Sequence, residues 1–247
     1  MPPTTGSVTD STAALPSSSS DDLPSSSVAT LPSASAAALP SPSAESVPNG
    51  ATGAAGAPLR LAVILGSNRE GRFGPVVADW FLSRAAERPD FTTELIDLAR
   101  VELPTALSAR PGPAVRAELA KVTAPLAAAD AFVVLTPEYN HSFPATVKSL
   151  IDWHYAEWHA KPVGFVSYGG VSGGLRAVEQ LRQVFAELHA VTVRDTVSFH
   201  GAGAHFDDTG RPKDPTGSDA AATAMLDRLA WWALALREAK SVRPYGG

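Results

Sequence analysis

The chain has 247 residues, no cysteine and a formal net charge of −5. Without cysteine it cannot form disulfides, thiolate metal sites or iron–sulfur clusters, and it cannot use a cysteine nucleophile. A small net charge scattered along the chain gives no electrostatic reason to expect nucleic acid or an anionic membrane as a partner.

The first 57 residues differ in composition from the rest. They are mainly Ser, Ala, Pro, Thr and Gly, and they hold four of the 25 acidic residues and none of the 20 basic ones. Leu-Pro-Ser recurs there every eight residues, at 15–17, 23–25, 31–33 and 39–41. Such a segment buries too little apolar surface to offset its ordering entropy. We predict a disordered low-complexity tail over 1–57, more typical of a flexible tail than of a linear binding motif, and one folded domain over 58–247.

No targeting or membrane segment is evident in this sequence. The tail has neither a basic n-region nor a continuous apolar h-region, and no stretch is apolar for long enough to span a bilayer. We therefore expect a cytoplasmic protein that has no membrane or nucleic-acid partner.

Apolar runs alternate with segments of helical spacing from residue 61 onwards. The predicted strands are 61–65, 92–98, 131–135, 163–167 and 191–199. The predicted helices begin after Pro75, run over 114–128, around 147–151 and around 178–188, and close the chain over 218–240. Strands that are apolar runs rather than alternating patterns predict a parallel sheet covered on both faces. Five βα units suit a flavodoxin-like, doubly wound α/β domain with strand order 2-1-3-4-5.

Unusual loops follow the first, third and fourth strands, whose carboxyl ends meet at the switch point of such a sheet. The first loop, GSNREGRFG over 66–74, leads into a helix whose first-turn N–H groups attract anions. Ser67 adds a hydroxyl donor, and Arg69 and Arg72 add positive charge. We predict a phosphate site here. A dinucleotide site is not expected, because the loop lacks G-x-G-x-x-G.

The second loop contains Thr136-Pro137-Glu138-Tyr139-Asn140, and the third contains Ser167-Tyr168-Gly169-Gly170-Val171-Ser172-Gly173-Gly174. With the first loop, these motifs resemble the NAD(P)H-dependent FMN reductase family, which includes quinone, azo and chromate reductases. The resemblance covers about residues 59–200. It implies FMN as cofactor, NADPH or NADH as co-substrate, a small-molecule electron acceptor, and assembly as a homodimer or tetramer.

The resemblance also implies a set of FMN-binding residues. They are Ser67, Asn68, Arg69, Arg72, Phe73, Gly74, Pro137, Glu138, Tyr139, Asn140, Ser167, Tyr168, Gly169, Gly170, Ser172, Gly173 and Gly174. The first loop is expected at the phosphate, and the other two along the isoalloxazine, where the glycines leave room for the ring. Arg72 has two interpretations, as a contact to the flavin phosphate or to a nicotinamide nucleotide. No catalytic residue is expected, since hydride transfer to a flavin needs no protein acid or base.

Two other functions remain open. Residues 170–174 match the G-x-S-x-G motif, so Ser172 could be a hydrolase nucleophile with Asp195 or Asp207 and then His200 or His205. A non-enzymatic flavodoxin-like electron carrier or flavin-binding interaction protein would share the fold, but a nearly neutral domain lacks the acidic docking surface typical of such carriers.

A metal site is the weakest candidate. His200 and His205 could bind zinc with Asp207 and Asp208, but no pair of histidines has H-x-x-x-H spacing. A polar loop is the favoured explanation, and we expect no metal.

The last helix bears on assembly. Its predicted buried stripe consists of Met225, Leu229, Trp232, Ala233 and Leu236. Trp231 and Leu234 then point away from the sheet, which indicates a partner surface.

Overall fold

The structure, a computed structural model, describes residues 57–246. The predicted tail, with its Leu-Pro-Ser repeats, lies outside the described residues except for Ala57. Five strands form one parallel sheet: β1 (Leu59–Leu65), β2 (Phe91–Asp97), β3 (Ala131–Pro137), β4 (Pro162–Gly169) and β5 (Val191–His200). Their order is β2-β1-β3-β4-β5, which confirms the predicted flavodoxin-like topology.

Six helices connect or follow these strands in the described part of the chain. They are α1 (Gly74–Ala86), α2 (Pro113–Ala128), α3 (Ala145–Asp152), α4 (Leu175–Glu187), α5 (Ala202–His205) and α6 (Pro215–Val242). Leu98 belongs to a 3₁₀ turn, Leu98–Arg100, instead of the predicted second strand, and the short α5 was not predicted. A second 3₁₀ turn spans Ala156–Trp158.

Side-chain alternation along β1 divides the core into two layers. Leu61, Val63 and Leu65 pack with α1 and α6 on one face, whereas Ala62 and Ile64 pack with α2, α3 and α4 on the other. All five side chains are buried, as expected for a central strand of a sheet covered on both faces. The apolar runs in the sequence therefore reflect burial on both sides.

Helix α6 corrects one expectation. Met225, Leu229 and Ala233 are buried as predicted, but Trp232 is 36% exposed. The buried stripe also includes Leu226 and Ala230, and this turns its centre away from Trp232. Trp232 instead packs edge-on against Trp231, with ring centroids 5.0 Å apart. Within residues 57–246, no helix has the length and apolar character needed to cross a membrane.

Candidate functional site

The three unusual loops lie side by side at the carboxyl edge of the sheet. We call them the β1 loop (66–73), the β3 loop (138–144) and the β4 loop (170–174). The hydroxyls of Ser67 and Tyr139 share a hydrogen bond of 2.8 Å and so connect the β1 and β3 loops. The Ser172 hydroxyl donates a hydrogen bond to the Glu138 carboxylate and so connects the β3 and β4 loops. The sequence-predicted residues are thus brought together at one edge.

The β1 loop holds a series of free donors. The amide N–H groups of residues 67–71 make no hydrogen bond to the described residues. Helix α1 begins just beyond them, and its N-cap residue, Phe73, supplies no capping hydrogen bond from the described part of the chain. Unpaired amides at the positive end of a helix dipole form an anion-binding site.

The side chains of the β1 loop differ in what they can offer a ligand. Ser67 is buried, whereas Asn68 and Arg69 are exposed. Asn68, with Thr146 of α3, lines a cavity of about 710 Å³ whose other walls are residues 101–104 and the first turns of α2. The Arg69 guanidinium makes no ion pair or hydrogen bond within residues 57–246. Arg69 is therefore the positive charge of this loop that an anion can use.

Arg72 is already paired. Its two terminal nitrogens donate to the two carboxylate oxygens of Asp97 at 2.6 and 2.7 Å, and Nη1 also donates to the Ser67 carbonyl. This bidentate hydrogen bonding raises the pKa of Arg72 and holds the pKa of Asp97 below its usual range. Arg72 therefore holds the β1 loop on the end of β2 through contacts within the protein.

The start of α1 fits closely under Tyr168. A Cβ atom on Gly74 would lie 2.8 Å from the Tyr168 hydroxyl, which is buried and lacks a hydrogen-bond partner in the described residues. Burial raises the pKa of this hydroxyl, so it stays protonated and can donate. An orphaned donor beside free amides fits an oxyanion such as a phosphate. Phe73 packs edge-on against Tyr168 and Phe206, so its ring serves packing here.

The β3 loop is a rigid turn. Tyr139 and Ser142 exchange backbone hydrogen bonds of 2.8 and 3.0 Å around Asn140 and His141. The φ angles of these two central residues are 50° and 69°, the left-handed values of a type I′ turn. Gln180 of α4 accepts a hydrogen bond from the Ser142 hydroxyl and donates one to the His141 carbonyl. The turn therefore presents Pro137 to Asn140 in one fixed position.

Glu138 joins this turn to α4. Its carboxylate accepts hydrogen bonds from Ser172, from the Arg176 amide and from the Arg176 guanidinium, the last two at 3.2 Å. Burial by itself raises the pKa of Glu138, but these hydrogen bonds outweigh it, and the net pKa lies below the usual value. Glu138 is thus an ionised anchor that holds two loops together.

The same contacts contradict the hydrolase hypothesis. Ser172 donates to a carboxylate, and neither His200 nor His205 hydrogen-bonds to it in the described structure. His200 Nδ1 instead donates to the carbonyl of Val171, the residue before Ser172, at 2.9 Å. Asp195 lies 3.9 Å from Arg228, and Asp207 accepts hydrogen bonds within its own loop. The sequence matches the spacing of the G-x-S-x-G motif, but the serine, histidine and aspartate side chains do not form a catalytic triad in the described structure.

The β4 loop requires its glycines for its own conformation. Gly173 and Gly174 have φ of 60° and 86°, and a Cβ on Gly174 would lie 2.7 Å from that of Ser167. The buried Ser167 and its neighbour Ser198 both donate to the Gly173 carbonyl, at 2.8 and 2.9 Å. A Cβ on Gly170, by contrast, would meet no described atom within 4 Å. Gly170 marks the open side of the loop, whereas Gly173, Gly174 and Ser167 maintain its shape.

Two further facts complete the site. A Cβ on Gly169 would lie 3.2 Å from the Gly174 amide, so this position is also tight.

Among residues 57–246, no three His, Asp or Glu side chains form a group able to hold a metal ion. His200, His205, Asp207 and Asp208 lie within this range and form no such group.

Four residues that hold the loops were not among those predicted: Asp97, Thr146, Arg176 and Gln180. Thr146 donates to the Gly66 carbonyl at 2.7 Å. Arg176 and Thr146 lie in the first turns of the helices that follow the β4 and β3 loops. For these two residues, a polar side chain at a helix start directly after a motif was the available signal, whereas Asp97 and Gln180 had none.

Comparison with known proteins identifies the family. Residues 59–204 match the family model described as NADPH-dependent FMN reductase. The chain belongs to this family. The match spans all three loops and more than half of the chain, so the resemblance predicted from the motifs is confirmed. FMN is the flavin expected of this family, with NAD(P)H as co-substrate.

Individual relatives agree with the family match. An NAD(P)H-dependent FMN reductase of Schizosaccharomyces pombe is 36% identical over 132 residues, which are 51% of this chain and 64% of that protein. A probable NADPH:quinone oxidoreductase of Oryza sativa is 32% identical over 172 residues, 64% of this chain and 80% of that protein. Thus this chain aligns with just under two thirds of the yeast protein's length.

One solved structure supports the fold. The flavoenzyme NAD(P)H:(acceptor) oxidoreductase of Paracoccus denitrificans has a TM-score of 0.55 at 19% identity. The alignment covers 71% of this chain and 97% of that one. At this identity the likeness concerns the arrangement of strands and helices.

Proposed function

We propose that this chain is an FMN-dependent NAD(P)H oxidoreductase that reduces a small acceptor. The acceptor classes are free flavin, quinones, azo compounds and metal oxyanions. The observation that carries the proposal is the row of free amides over 67–71, in front of α1 and beside the unpaired Arg69. Family membership supports FMN, and a quinone oxidoreductase among the relatives supports quinones as one acceptor class.

In this proposal the β1 loop binds the FMN phosphate. Arg69 supplies the charge, Ser67 and the loop amides supply hydrogen bonds, and Asn68 contacts the adjoining polar groups. Gly74 lets α1 approach closely under the buried Tyr168 hydroxyl. Arg72 acts indirectly, because its pairing with Asp97 fixes the Ser67 carbonyl and therefore the loop.

The other two loops would position the isoalloxazine. Pro137 to Asn140 offer backbone groups and the flat ring of Tyr139, and Gly169 and Gly170 offer backbone without side chains. FMN, when bound, supplies the two-electron redox chemistry that links NAD(P)H to the acceptor. The protein orients the ring through the Glu138 anchor and leaves space for successive substrates. We assign no catalytic acid or base.

We also propose a homodimer formed through the α6 patch, defined as Trp231, Trp232 and Leu234. Trp231 is 61% exposed and Leu234 is 49% exposed, which is unusual for large apolar side chains of one helix. Sedimentation of the full chain at micromolar concentration tests this, and a monomer there would contradict it. We place the enzyme in the cytoplasm, where NAD(P)H is available, with the folded domain over 58–247 and the low-complexity tail over 1–57.

Anaerobic spectroscopy tests the activity. The full chain is purified with added FMN, freed of unbound flavin and titrated with NADPH, and then with NADH. We expect a bound flavin whose visible absorbance is lost on adding NADPH and returns on adding benzoquinone, methyl red, chromate or free FMN. Free FMN at the same concentration, without protein, is the control for uncatalysed reduction.

Two results would contradict the proposal. A protein that retains no flavin would remove the FMN site. A protein that retains flavin which dithionite bleaches but NADPH and NADH do not would instead be an electron carrier.

A further inference from the structure

A second cluster of functional side chains lies at the opposite edge of the sheet, where β4 and β5 begin. Four rings pack together there: Tyr155, His159, His189 and Tyr245. Ring centroids are 4.5 Å apart for Tyr155 and His159, and 5.0 Å apart for the two histidines. His189 Nδ1 and the Tyr245 hydroxyl share a hydrogen bond of 2.6 Å. These contacts form an aromatic wall at the opposite end of the strands from the β1, β3 and β4 loops.

A cavity of about 380 Å³ adjoins this wall. It is lined by His159 and Tyr245 from the wall, by Lys161 and Lys240, and by Glu157. Its volume lies within the range of small-molecule pockets and suits a ligand with a single ring. None of these residues belongs to the β1, β3 or β4 loops.

The donors around this cavity are incompletely paired. Lys161 is 6% exposed, and its ammonium donates to the carbonyls of residues 126 and 127 at 2.8 and 2.9 Å. An ammonium has three N–H donors, so one has no oxygen acceptor among the described residues, where the Phe132 ring centroid lies 5.3 Å from Nζ. Lys240 makes no hydrogen bond or ion pair with the described residues. His159 Nε2 is buried and has no partner among them either.

The charges around this cavity leave a positive excess. The lining holds two ammonium groups against the single carboxylate of Glu157, which accepts a hydrogen bond from the Tyr155 amide. Asp130 acts on both lysines from outside the lining, but it accepts the Arg60 amide at 2.9 Å and lies 3.6 Å from Arg237.

The lysines respond to this environment. Burial, with the nearby charge of Lys240, lowers the pKa of Lys161 to about 8, and burial also lowers the pKa of Lys240. Among residues 57–246, neither group has a counter-charge strong enough to offset its loss of hydration. An anion in the cavity would supply it.

We propose that this cavity binds a small organic oxyanion, a phosphate or carboxylate group carried on a flat ring. The oxyanion would accept hydrogen bonds from Lys161, Lys240 and His159, and the ring would pack on Tyr245. This site is separate from the proposed flavin site, so neither proposal depends on the other.

Pyridoxal 5′-phosphate is a probe of this chemistry, because it is a phosphate on a flat ring and carries an aldehyde. The aldehyde condenses with a neutral lysine amine to form a C=N bond and release water. Borohydride then adds hydride to that bond and leaves a stable secondary amine. The chain has five lysines, so peptide mass spectrometry can assign every label. The full chain is first saturated with FMN, which keeps the probe from any phosphate site in the β1 loop.

We expect saturable labelling of Lys240 or Lys161 ahead of the more exposed Lys121, Lys148 and Lys213. Protection by inorganic phosphate would identify a phosphate ligand, and protection by benzoate would identify a carboxylate on a ring; either supports the proposal. Labelling that follows exposure, rises linearly with probe concentration and is blocked by neither anion would overturn it.

A matched pair of variants separates binding from mere lysine reactivity. Lys240→Gln should raise the probe concentration that half-saturates Lys161 about tenfold, as expected for one lost charged hydrogen bond. Lys213→Gln, at an exposed lysine outside the cavity, should leave it unchanged. An unchanged circular-dichroism spectrum and an unchanged urea midpoint would show that Lys240→Gln is folded. An unchanged half-saturation in that folded variant would also overturn the proposal.

Discussion

The β1 loop and the β4 loop both contain glycines and both lead into helices whose own N-cap residues supply no capping side chain, yet they use their polar groups differently. In the β4 loop, the Gly173 carbonyl accepts two serine hydroxyls, and Ser172 is bound to Glu138. In the β1 loop, the amides of residues 67–71 have no such partners. Two glycine-containing loops therefore pair their polar groups internally in one case and leave their amides free in the other.

The largest expected effect comes from disturbing the packing of the β4 loop. Gly174→Ala puts a Cβ 2.7 Å from Ser167 Cβ and 3.0 Å from the Tyr168 amide, at a φ of 86°. Overpacking and a left-handed alanine together should lower the free energy of unfolding by about 3 kcal/mol. Urea unfolding of the flavin-free protein measures this loss.

Gly170→Ala is the control from the same loop, because no described atom lies within 4 Å of its new Cβ. It should change the free energy of unfolding by less than about 0.5 kcal/mol. Equal losses in the two variants would show that Gly174 is not packed more tightly than Gly170 in the β4 loop.

The second effect concerns how the β1 loop is held. Arg72→Ala leaves Asp97, whose side chain is 11% exposed, without its bidentate partner. We expect a loss of about 2 kcal/mol at pH 7, from a largely buried carboxylate left with only the Ala99 amide and the exposed Arg100, whose Nε lies 3.5 Å away. Unfolding by urea at several pH values measures it.

The pH dependence of that loss has a defined sign. Arg72 lowers the pKa of Asp97 in the folded state, so the pair stabilises the fold above the ordinary aspartate pKa of about 3.9. The stabilisation is lost as the pH falls through the lower, folded-state pKa. The difference between wild type and Arg72→Ala should therefore be full at pH 7 and shrink below about pH 4. A difference that stays constant down to pH 2 would assign the effect to packing instead.

The pairing of Arg72 shows where sequence reasoning reaches its limit. The apolar runs were sufficient to predict the parallel sheet, and the switch-point rule was sufficient to bring the three loops together. The partner of Arg72 depends on register, since Asp97 lies opposite Leu65 at the end of two parallel strands. Charge and spacing along the chain do not contain that information, so the pairing of Arg72 with Asp97 was not predicted.

The same limit applies to the last helix and to the opposite edge of the sheet. Trp232 was assigned to the core because helical spacing gives the shape of a stripe but not the direction in which it is turned. His159 and His189 are thirty residues apart in the sequence, and they meet because the segments ending before β4 and β5 run side by side. Such contacts follow from tertiary packing alone.

The third effect tests the binding surface itself. Arg69→Ala removes a side chain that contacts nothing in the described structure, so stability should change by less than about 0.5 kcal/mol. If Arg69 binds the FMN phosphate, the Kd for FMN should rise about tenfold, the loss of one charged hydrogen bond. Quenching of flavin fluorescence measures the Kd. Arg194→Ala, at an exposed arginine of β5 whose guanidinium also makes no hydrogen bond or ion pair with the described residues, is the matched control and should leave FMN affinity unaltered.

The smallest effect tests whether Ser172 in the β4 loop has a structural role or a catalytic one. Ser172→Ala removes one of the hydrogen bonds to Glu138, whose carboxylate keeps both contacts from Arg176. Because Glu138 remains paired, the free energy of unfolding should fall by about 1 kcal/mol or less, and NADPH-dependent quinone reduction should stay within about twofold of wild type. A fluorophosphonate probe should label neither protein. Labelling of wild type at Ser172, abolished in the variant, would mean that Ser172 is a reactive nucleophile instead of a structural hydrogen-bond donor to Glu138.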